Sequence, residues 1–203
     1  MRVLKATAKT IVIASETVKR GGLVIYPTET VYGLGCDPLN AKAVERIFEV
    51  KGKRRKPLPV LASDLEHIEK IAYLSEKARR IAAKFWPGPL TMVLPKTTIL
   101  PSTVTANLNS VGVRVPMHET AIQLIYLSDG FLVGTSANKT GEKSPRSAHE
   151  AANQIGDKVD IILDGGPTIF GLPSTIVDLT SERPKVVRKG PISIYEILST
   201  FGN

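Results

Sequence analysis

Short strand-like segments alternate with helix-like segments along almost the whole chain, and this alternation limits the possible folds more than any other feature. The alternation predicts an α/β (or α+β-like) domain rather than a helical bundle or a β-sandwich. With 203 residues and no long linker, we expect a single domain spanning residues 1–203. The strand-like segments are rich in β-branched residues, have glycine or proline nearby, and occupy residues 23–27, 58–62, 90–95, 111–116, 131–135, 159–164, 174–179 and 185–189.

Helix signals lie between these segments. Asn40 can cap a helix that ends before Gly52, and Ser75 can begin another that stops at Trp86, where the Pro-Gly-Pro sequence that follows cannot continue a helix. The remaining helices are predicted by capping-box patterns at Ser63 with Glu66 and at Ser147 with Glu150, and by the pattern of residues 7–20, 118–128 and 192–200.

The composition favours an anionic partner and argues against several classes of site. The formal net charge is +8 and the pI is about 9.6, which suits nucleic acid, nucleotides or phosphorylated metabolites. A single cysteine excludes an intramolecular disulfide and a cysteine-based zinc site, and His67, His118 and His149 lack metal-ligand spacing. No segment resembles a signal peptide or a membrane span, so we expect a cytoplasmic protein without a membrane partner.

Two loops are rich in groups that bind polar small molecules. YPTETVYGLGCD (26–37) and GTSANKTGEKSP (134–145) each follow a predicted strand and combine hydroxyl groups with glycines, which let a ligand approach the backbone closely. Neither is a Walker motif, and the chain has no GxGxxG. Ordinary strand-connecting turns remain an alternative for both loops.

Cationic residues stand out at two places. Arg114 interrupts an apolar strand, and this indicates either a bound carboxylate or phosphate, or an Asp or Glu of the chain itself. The run KGKRRKPLP (51–59) has five cationic side chains in its first six positions and fits a phosphate clamp, a nucleic-acid patch or an address signal.

Seven segments, in order, resemble the YrdC/Sua5 family of threonylcarbamoyl-AMP synthases: YPTETVYGLGCD, KGKRRKPLPVL, WPGPLT, VGVRVP, TSANKTG, PSTIVDL and VVRKGPIS. The resemblance implies a YrdC-like fold, which is an open, twisted, mixed parallel/antiparallel sheet with flanking helices and a basic concave face. It also implies synthesis of L-threonylcarbamoyl-adenylate from L-threonine, bicarbonate and ATP with Mg²⁺, and release of pyrophosphate. The product would serve N6-threonylcarbamoylation of adenosine 37 in tRNA through a downstream threonylcarbamoyl-transferase complex.

The same resemblance implies roles for individual residues. It assigns no catalytic residue and no protein ligand for a metal. The expected L-threonine contacts are Thr28, Arg114 and Ser174, and the expected ATP contacts are Lys51, Lys53, Arg55, Ser136, Asn138, Ser144 and Arg188.

The chain departs from the family pattern at two positions. The family usually reads KGRP-x-x-KPL, whereas KGKRRKPL is one residue shorter, so Lys53, Arg54 or Arg55 could take the place of the family arginine. A family histidine after KPL-x-V corresponds to Leu61. These departures leave open a paralogue that makes a different carbamoyl-adenylate. A further alternative is an RNA-binding module that holds tRNA or double-stranded RNA on the basic face without making an adenylate. Because the chain ends soon after VVRKGPIS, we expect the short, single-domain form of the family.

Overall fold

The computed structural model describes residues 2–52 and 56–201. Within these residues there are eleven strands, seven α-helices and one short 3₁₀ helix, Gly156–Lys158. The strands are β1 (Arg2–Lys5), β2 (Val24–Tyr26), β3 (Gly33–Gly35), β4 (Val60–Ala62), β5 (Leu90–Pro95), β6 (Ser110–Arg114), β7 (Phe131–Val133), β8 (Thr135–Ser136), β9 (Ile161–Asp164), β10 (Thr175–Asp178) and β11 (Lys185–Arg188). The helices are α1 (Ala8–Lys19), α2 (Ala41–Lys51), α3 (Leu65–Ile71), α4 (Glu76–Phe85), α5 (Glu119–Leu127), α6 (Ala148–Ile155) and α7 (Ile194–Phe201).

The strands form two mixed sheets, and this confirms the mixed α/β class. The order is β1-β9-β2-β3-β8 in the five-stranded sheet and β11-β10-β5-β6-β4-β7 in the six-stranded sheet. Each sheet contains both parallel and antiparallel pairs, such as β4 parallel to β6 and antiparallel to β7. The sequence predicted one sheet, and the division into two arises where β7 and β8 pair with different partners.

The chain passes from one sheet to the other at Gly134. Its amide donates to the carbonyl of Pro59 at 2.8 Å, and the amide of Val133 donates to the carbonyl of Cys36 at 2.9 Å. A Cβ atom at position 134 would lie 2.4 Å from Cγ of Leu61, so only glycine fits without displacing that side chain. The two sheets are therefore joined by a close backbone approach rather than by a long connection.

Most of the predicted helix ends are confirmed. The side chains of Asn40, Ser75 and Ser147 accept hydrogen bonds from amides in the first turns of α2, α4 and α6, and α2 ends at Gly52 with φ of 68°. The prediction that Ser63 caps α3 is wrong. Asp64 is the cap, because its carboxylate accepts from the amide of His67 at 2.9 Å, while the Ser63 hydroxyl donates to Asp64 instead.

The alternation of side chains along β5 separates the core from an open face. Leu90, Met92 and Leu94 are buried in the hydrophobic core, whereas Thr91 and Val93 line a cavity on the other face of the six-stranded sheet. Helix α1 packs on β2 and β9 of the five-stranded sheet, and α5 packs on α1 and on β4 and β7 of the six-stranded sheet, through a second apolar cluster. In the part of the chain that the structure describes, no helix has the length and apolar character needed to cross a membrane.

Candidate functional site

A cavity of about 620 Å³ lies on the open face of the six-stranded sheet. Its volume is in the range typical of small-molecule sites. The sheet supplies the floor because Ile176 is in register with Thr91, Val93 with Gly112, and Leu61 with Arg114. The walls come from the turn after β2, the end of α2, the loop after β8 and the segment before β10. The site therefore combines one rigid sheet face with several loops.

Arg114 is buried in the cavity wall and has three partners from the protein. Its Nε donates to the carbonyl of Gly88 at 3.0 Å, and its Nη1 donates to Oγ1 of Thr30 at 3.1 Å. Its Nη2 lies 2.6 Å from Oε2 of Glu29, and the two side chains are 6% and 0% exposed. Of the two alternatives that the sequence left open, the structure thus provides the internal carboxylate. Its assignment to the L-threonine carboxylate stays a prediction; Nη1 has one N–H that Thr30 does not use, whereas Nη2 is buried.

The turn after β2 uses Thr28 and Thr30 differently. The Thr28 hydroxyl is buried, donates to the carbonyl of Val31 at 2.6 Å, and accepts from the amides of Thr30 and Val31. Thr30 lines the main cavity, whereas Thr28 lines only a small adjoining recess. Thr28 therefore shapes the turn, and the Thr30 hydroxyl contacts Arg114. The predicted contact of Thr28 with L-threonine remains a prediction.

Ser174, Thr91 and Arg188 form a polar group beside Arg114. Oγ of Ser174 lies 2.8 Å from Oγ1 of Thr91 and accepts from Nη2 of Arg188 at 3.1 Å. Although Arg188 as a whole is exposed, burial of its guanidinium lowers the pKa of Arg188, and the charge of Arg114 lowers it further. Two guanidinium groups thus face one cavity, with hydroxyl groups between them.

Lys51 lines the cavity from the end of α2. Its Nζ donates to the carbonyls of Ser136 at 2.8 Å and Asn138 at 3.1 Å, and its own carbonyl accepts from the amide of Thr140. Burial lowers the pKa of Lys51 to about 8. These bonds connect the helix end to the loop after β8 and place Lys51 and Ser136 on the cavity lining, as a phosphate-binding wall requires.

Two of the remaining predicted ATP contacts, Asn138 and Ser144, are absent from the cavity lining that the structure describes. Asn138 uses its amide group within the loop, donating to the carbonyls of Lys139 and Glu142, and Ser144 lies further along the same loop. Lys53 and Arg55 lie outside the described residues. The roles predicted for these four residues stay predictions.

Sequence reasoning missed three residues that the structure brings to the site. Glu29 is the partner of Arg114, Lys56 lines the cavity, and Asp178 is the single carboxylate among the described lining residues. Glu29 could have been suspected as a charge between two threonines after an apolar strand. Asp178 gave no comparable signal, because an acid at a strand end is common. No cluster of three or more metal-ligating residues occurs within residues 2–52 and 56–201.

Comparisons with known proteins agree with this geometry. The family model for Sua5, YciO and YrdC, described as "Telomere recombination", matches residues 16–190. The threonylcarbamoyl-AMP synthase of Pyrococcus abyssi is 44% identical over 94% of this chain, and that of Bacillus subtilis is 37% identical over 93%. The crystal structure of P. abyssi Sua5 complexed with L-threonine superposes with a TM-score of 0.94 at 42% identity, covering 99% of this chain and 60% of that one.

The chain spans 56% of the length of both synthases, so the similarity concerns one part of those proteins. Within that part, the match extends from α1 to the residue after Lys189, and it includes every element that lines the cavity. The chain belongs to the Sua5/YciO/YrdC family.

Proposed function

We propose that this protein joins L-threonine, bicarbonate and ATP into L-threonylcarbamoyl-adenylate and releases pyrophosphate. The observation that carries the proposal is a cavity of about 620 Å³ whose described lining includes Arg114, Arg188 and Lys51. Such a cavity suits a ligand pair that carries both a carboxylate and phosphates. Relatives named threonylcarbamoyl-AMP synthase support the same reaction.

In this proposal the chain acts by positioning its substrates and neutralising their charge. The amino nitrogen of threonine bonds to the carbon of bicarbonate and water is lost. An oxygen of the resulting carbamate then attacks the α-phosphorus, and the bond to pyrophosphate breaks. Arg114, Ser174 and Arg188 would hold the amino acid near the α-phosphate, while Lys51 and Lys56 would offset the phosphate charge.

Mg²⁺ would accompany ATP in this reaction and offset the negative charge of its phosphates. Mg²⁺ usually keeps several waters and binds through one or two carboxylates together with substrate phosphates. Asp178 is the single carboxylate on the described cavity lining, which fits a metal held mainly by the nucleotide. The Asp178 Oδ1 atom already accepts from the amide and hydroxyl of Thr180.

The product would serve N6-threonylcarbamoylation of adenosine 37 in tRNA, through a downstream threonylcarbamoyl-transferase complex. Because ATP and tRNA are its expected partners, we infer a cytoplasmic site of action. The basic surplus of the chain also fits transient contact with tRNA.

The test is to incubate the purified protein with ATP, Mg²⁺, bicarbonate and labelled L-threonine. We expect pyrophosphate release that depends on threonine and on bicarbonate, together with a labelled adenylate. Absence of both, under conditions in which the P. abyssi relative is active, would contradict the proposal. Salt-sensitive binding of tRNA without threonine-dependent release would favour the RNA-binding module instead.

A further inference from the structure

Glu29 is a fully buried carboxylate directly behind the cavity wall. Its side chain is 0% exposed, and neither carboxylate oxygen has a hydrogen-bond partner of normal geometry in the part of the chain described. A charge in such a place is costly unless an opposite charge balances it. Arg114, with Nη2 at 2.6 Å from Oε2, supplies that charge. Glu29 and Arg114 therefore form one electrostatic unit.

The charge of Glu29 also acts on two other titratable groups, Tyr26 and His118. Burial raises the pKa of Tyr26, so its phenol stays neutral and cannot balance Glu29. Burial lowers the pKa of His118, and the charges of Glu29 and Glu119 only partly offset this effect. The guanidinium of Arg114 is therefore the cation that balances Glu29 near neutral pH. Removing the Glu29 charge would leave a buried guanidinium without its counter-charge.

The three contacts of Arg114 fix the plane of its guanidinium. The carbonyl of Gly88, the hydroxyl of Thr30 and the carboxylate of Glu29 each engage a different nitrogen. Nη2 is buried beside Glu29, whereas Nη1 has one N–H that Thr30 does not use. An arginine that is held in this way can present a preformed charge and donor to a carboxylate, with little loss of side-chain freedom on binding.

Glu29 also sets the net charge of this end of the cavity. Arg114 and Arg188 contribute two positive charges and lie close enough for the charge of Arg114 to act on Arg188. The Glu29 carboxylate cancels one of the two. One surplus positive charge remains, which matches one carboxylate and does not match the several charges of a triphosphate.

We propose that Glu29 is a positioning residue that orients Arg114 and leaves one positive charge for the carboxylate of the amino-acid substrate. Glu29 does not touch the substrate and acts through Arg114. The proposal rests on the proposed function in one respect, namely that the ligand at this end of the cavity is an amino acid. It predicts that loss of the Glu29 charge affects ligands with a carboxylate and spares those without one.

The first experiment compares L-threonine with L-threoninol, which lacks the carboxylate, by ligand-detected NMR on wild type and Glu29→Gln. We expect the Kd for threonine to rise about tenfold, as for loss of one well-placed charged hydrogen bond. The Kd for threoninol should change by less than about twofold, within the usual effect of a neutral change. Glu69→Gln, which removes the exposed partner of Arg79, is the matched control and should alter neither value. Equal weakening of both ligands, or of neither, would overturn the proposal.

The second experiment does not depend on threonine binding. In ¹⁵N-labelled protein we expect the Nε–H signal of Arg114 to be sharp and slow to exchange in wild type, and to broaden in Glu29→Gln. An unchanged signal would refute the positioning role. Failure of wild type to bind threonine, with the signal behaving as expected, would refute the proposed substrate instead. If Glu29→Gln does not fold, Glu29→Asp is used instead, because its shorter side chain moves the carboxylate away from Arg114. The proposal then requires that the Kd for threonine rises while the Kd for threoninol stays nearly unchanged.

Discussion

Arg114 and Arg188 face the same cavity, yet the protein holds them in different ways. Arg114 is buried and paired with Glu29. Arg188 is exposed as a residue and donates to the carbonyl and hydroxyl of Ser174, and the described structure records no carboxylate within ion-pair distance of it. The difference shows that one arginine is built into the wall and the other supplies the uncompensated charge. Stability should depend mainly on Arg114, and ligand affinity on both.

The largest effect is expected from Arg114→Ala. This change leaves the Glu29 carboxylate buried without a counter-charge, and breaking such a pair costs about 3–5 kcal/mol of unfolding free energy. Urea denaturation followed by circular dichroism measures the change. Weaker threonine binding by this variant would therefore reflect lost stability as well as a lost contact.

A double variant separates these two effects. Arg114→Met combined with Glu29→Gln removes both charges, and we expect its stability to return to within about 1–2 kcal/mol of wild type, because uncharged replacements of a buried pair are often neutral. If the double variant were as unstable as Arg114→Ala, the pair would not be the source of the loss. Threonine affinity should remain low in both variants.

Arg188→Ala should give the opposite pattern. The unfolding free energy should change by less than about 1 kcal/mol, since the residue is exposed and has no buried counter-charge. The affinity for L-threonine should fall about tenfold or more, as for loss of a charged hydrogen bond, because Arg188 supplies the surplus positive charge for the substrate carboxylate. Isothermal titration with L-threonine measures this. A large loss of stability with unchanged affinity would reverse the distinction between the two arginines.

The contrast between the arginines also shows what the sequence could predict. The sequence alone predicts that an arginine in an apolar strand has an anionic partner, because burying an unpaired charge is costly. The identity of the anion depended on which turn lies next to β6, and no local pattern reports that. The carboxylate of Glu29, four residues after Ile25, reaches Arg114 only because the turn after β2 folds against the six-stranded sheet.

The prediction of secondary-structure elements is limited in the same way, because local sequence does not report tertiary contacts. All eight predicted strands are present because β-branched runs bounded by turns identify them locally. Strand β3 was missed because Gly33-Leu34-Gly35 has no strand-forming pattern. Its glycines are explained by the ring of Tyr26, which a Cβ atom at Gly33 would meet at 2.8 Å. A polar residue such as Asn138 carries no sign in the sequence of whether its amide faces a ligand or its own loop.

Lys51 is held differently from both arginines. Its ammonium group donates to two backbone carbonyls, and the described structure records no carboxylate within ion-pair distance of it. Its pKa is about 8, below that of an ordinary lysine, so the side chain loses its proton as the pH rises through that value. We expect ATP affinity to fall up to about tenfold between pH 7 and pH 9.5, because the phosphates lose one cation. Burial of the charged Lys51 side chain lowers the stability of the folded protein below pH 8. This loss of stability becomes smaller as the pH rises from 8 toward the pKa of the lysine in the unfolded chain.

Lys51→Met is the control for this pH dependence. Its ATP affinity should be low at pH 7 and nearly constant to pH 9.5. A slope equal to that of wild type would mean that another group, such as Lys56, controls the effect.

The smallest effect is expected from Ser174→Ala. The change removes an acceptor for Arg188 and a partner of Thr91, but the carbonyl of Ser174 still accepts from Nε of Arg188 at 3.0 Å. Arg188 should therefore stay close to its place, and threonine affinity should fall only about fivefold, equivalent to about 1 kcal/mol for one neutral hydrogen bond. Thr91→Val, which removes only the hydroxyl that faces Ser174, is the matched control and should cost less. If Ser174→Ala weakened binding as much as Arg188→Ala does, the hydroxyl rather than the backbone carbonyl would be what holds Arg188 in the cavity.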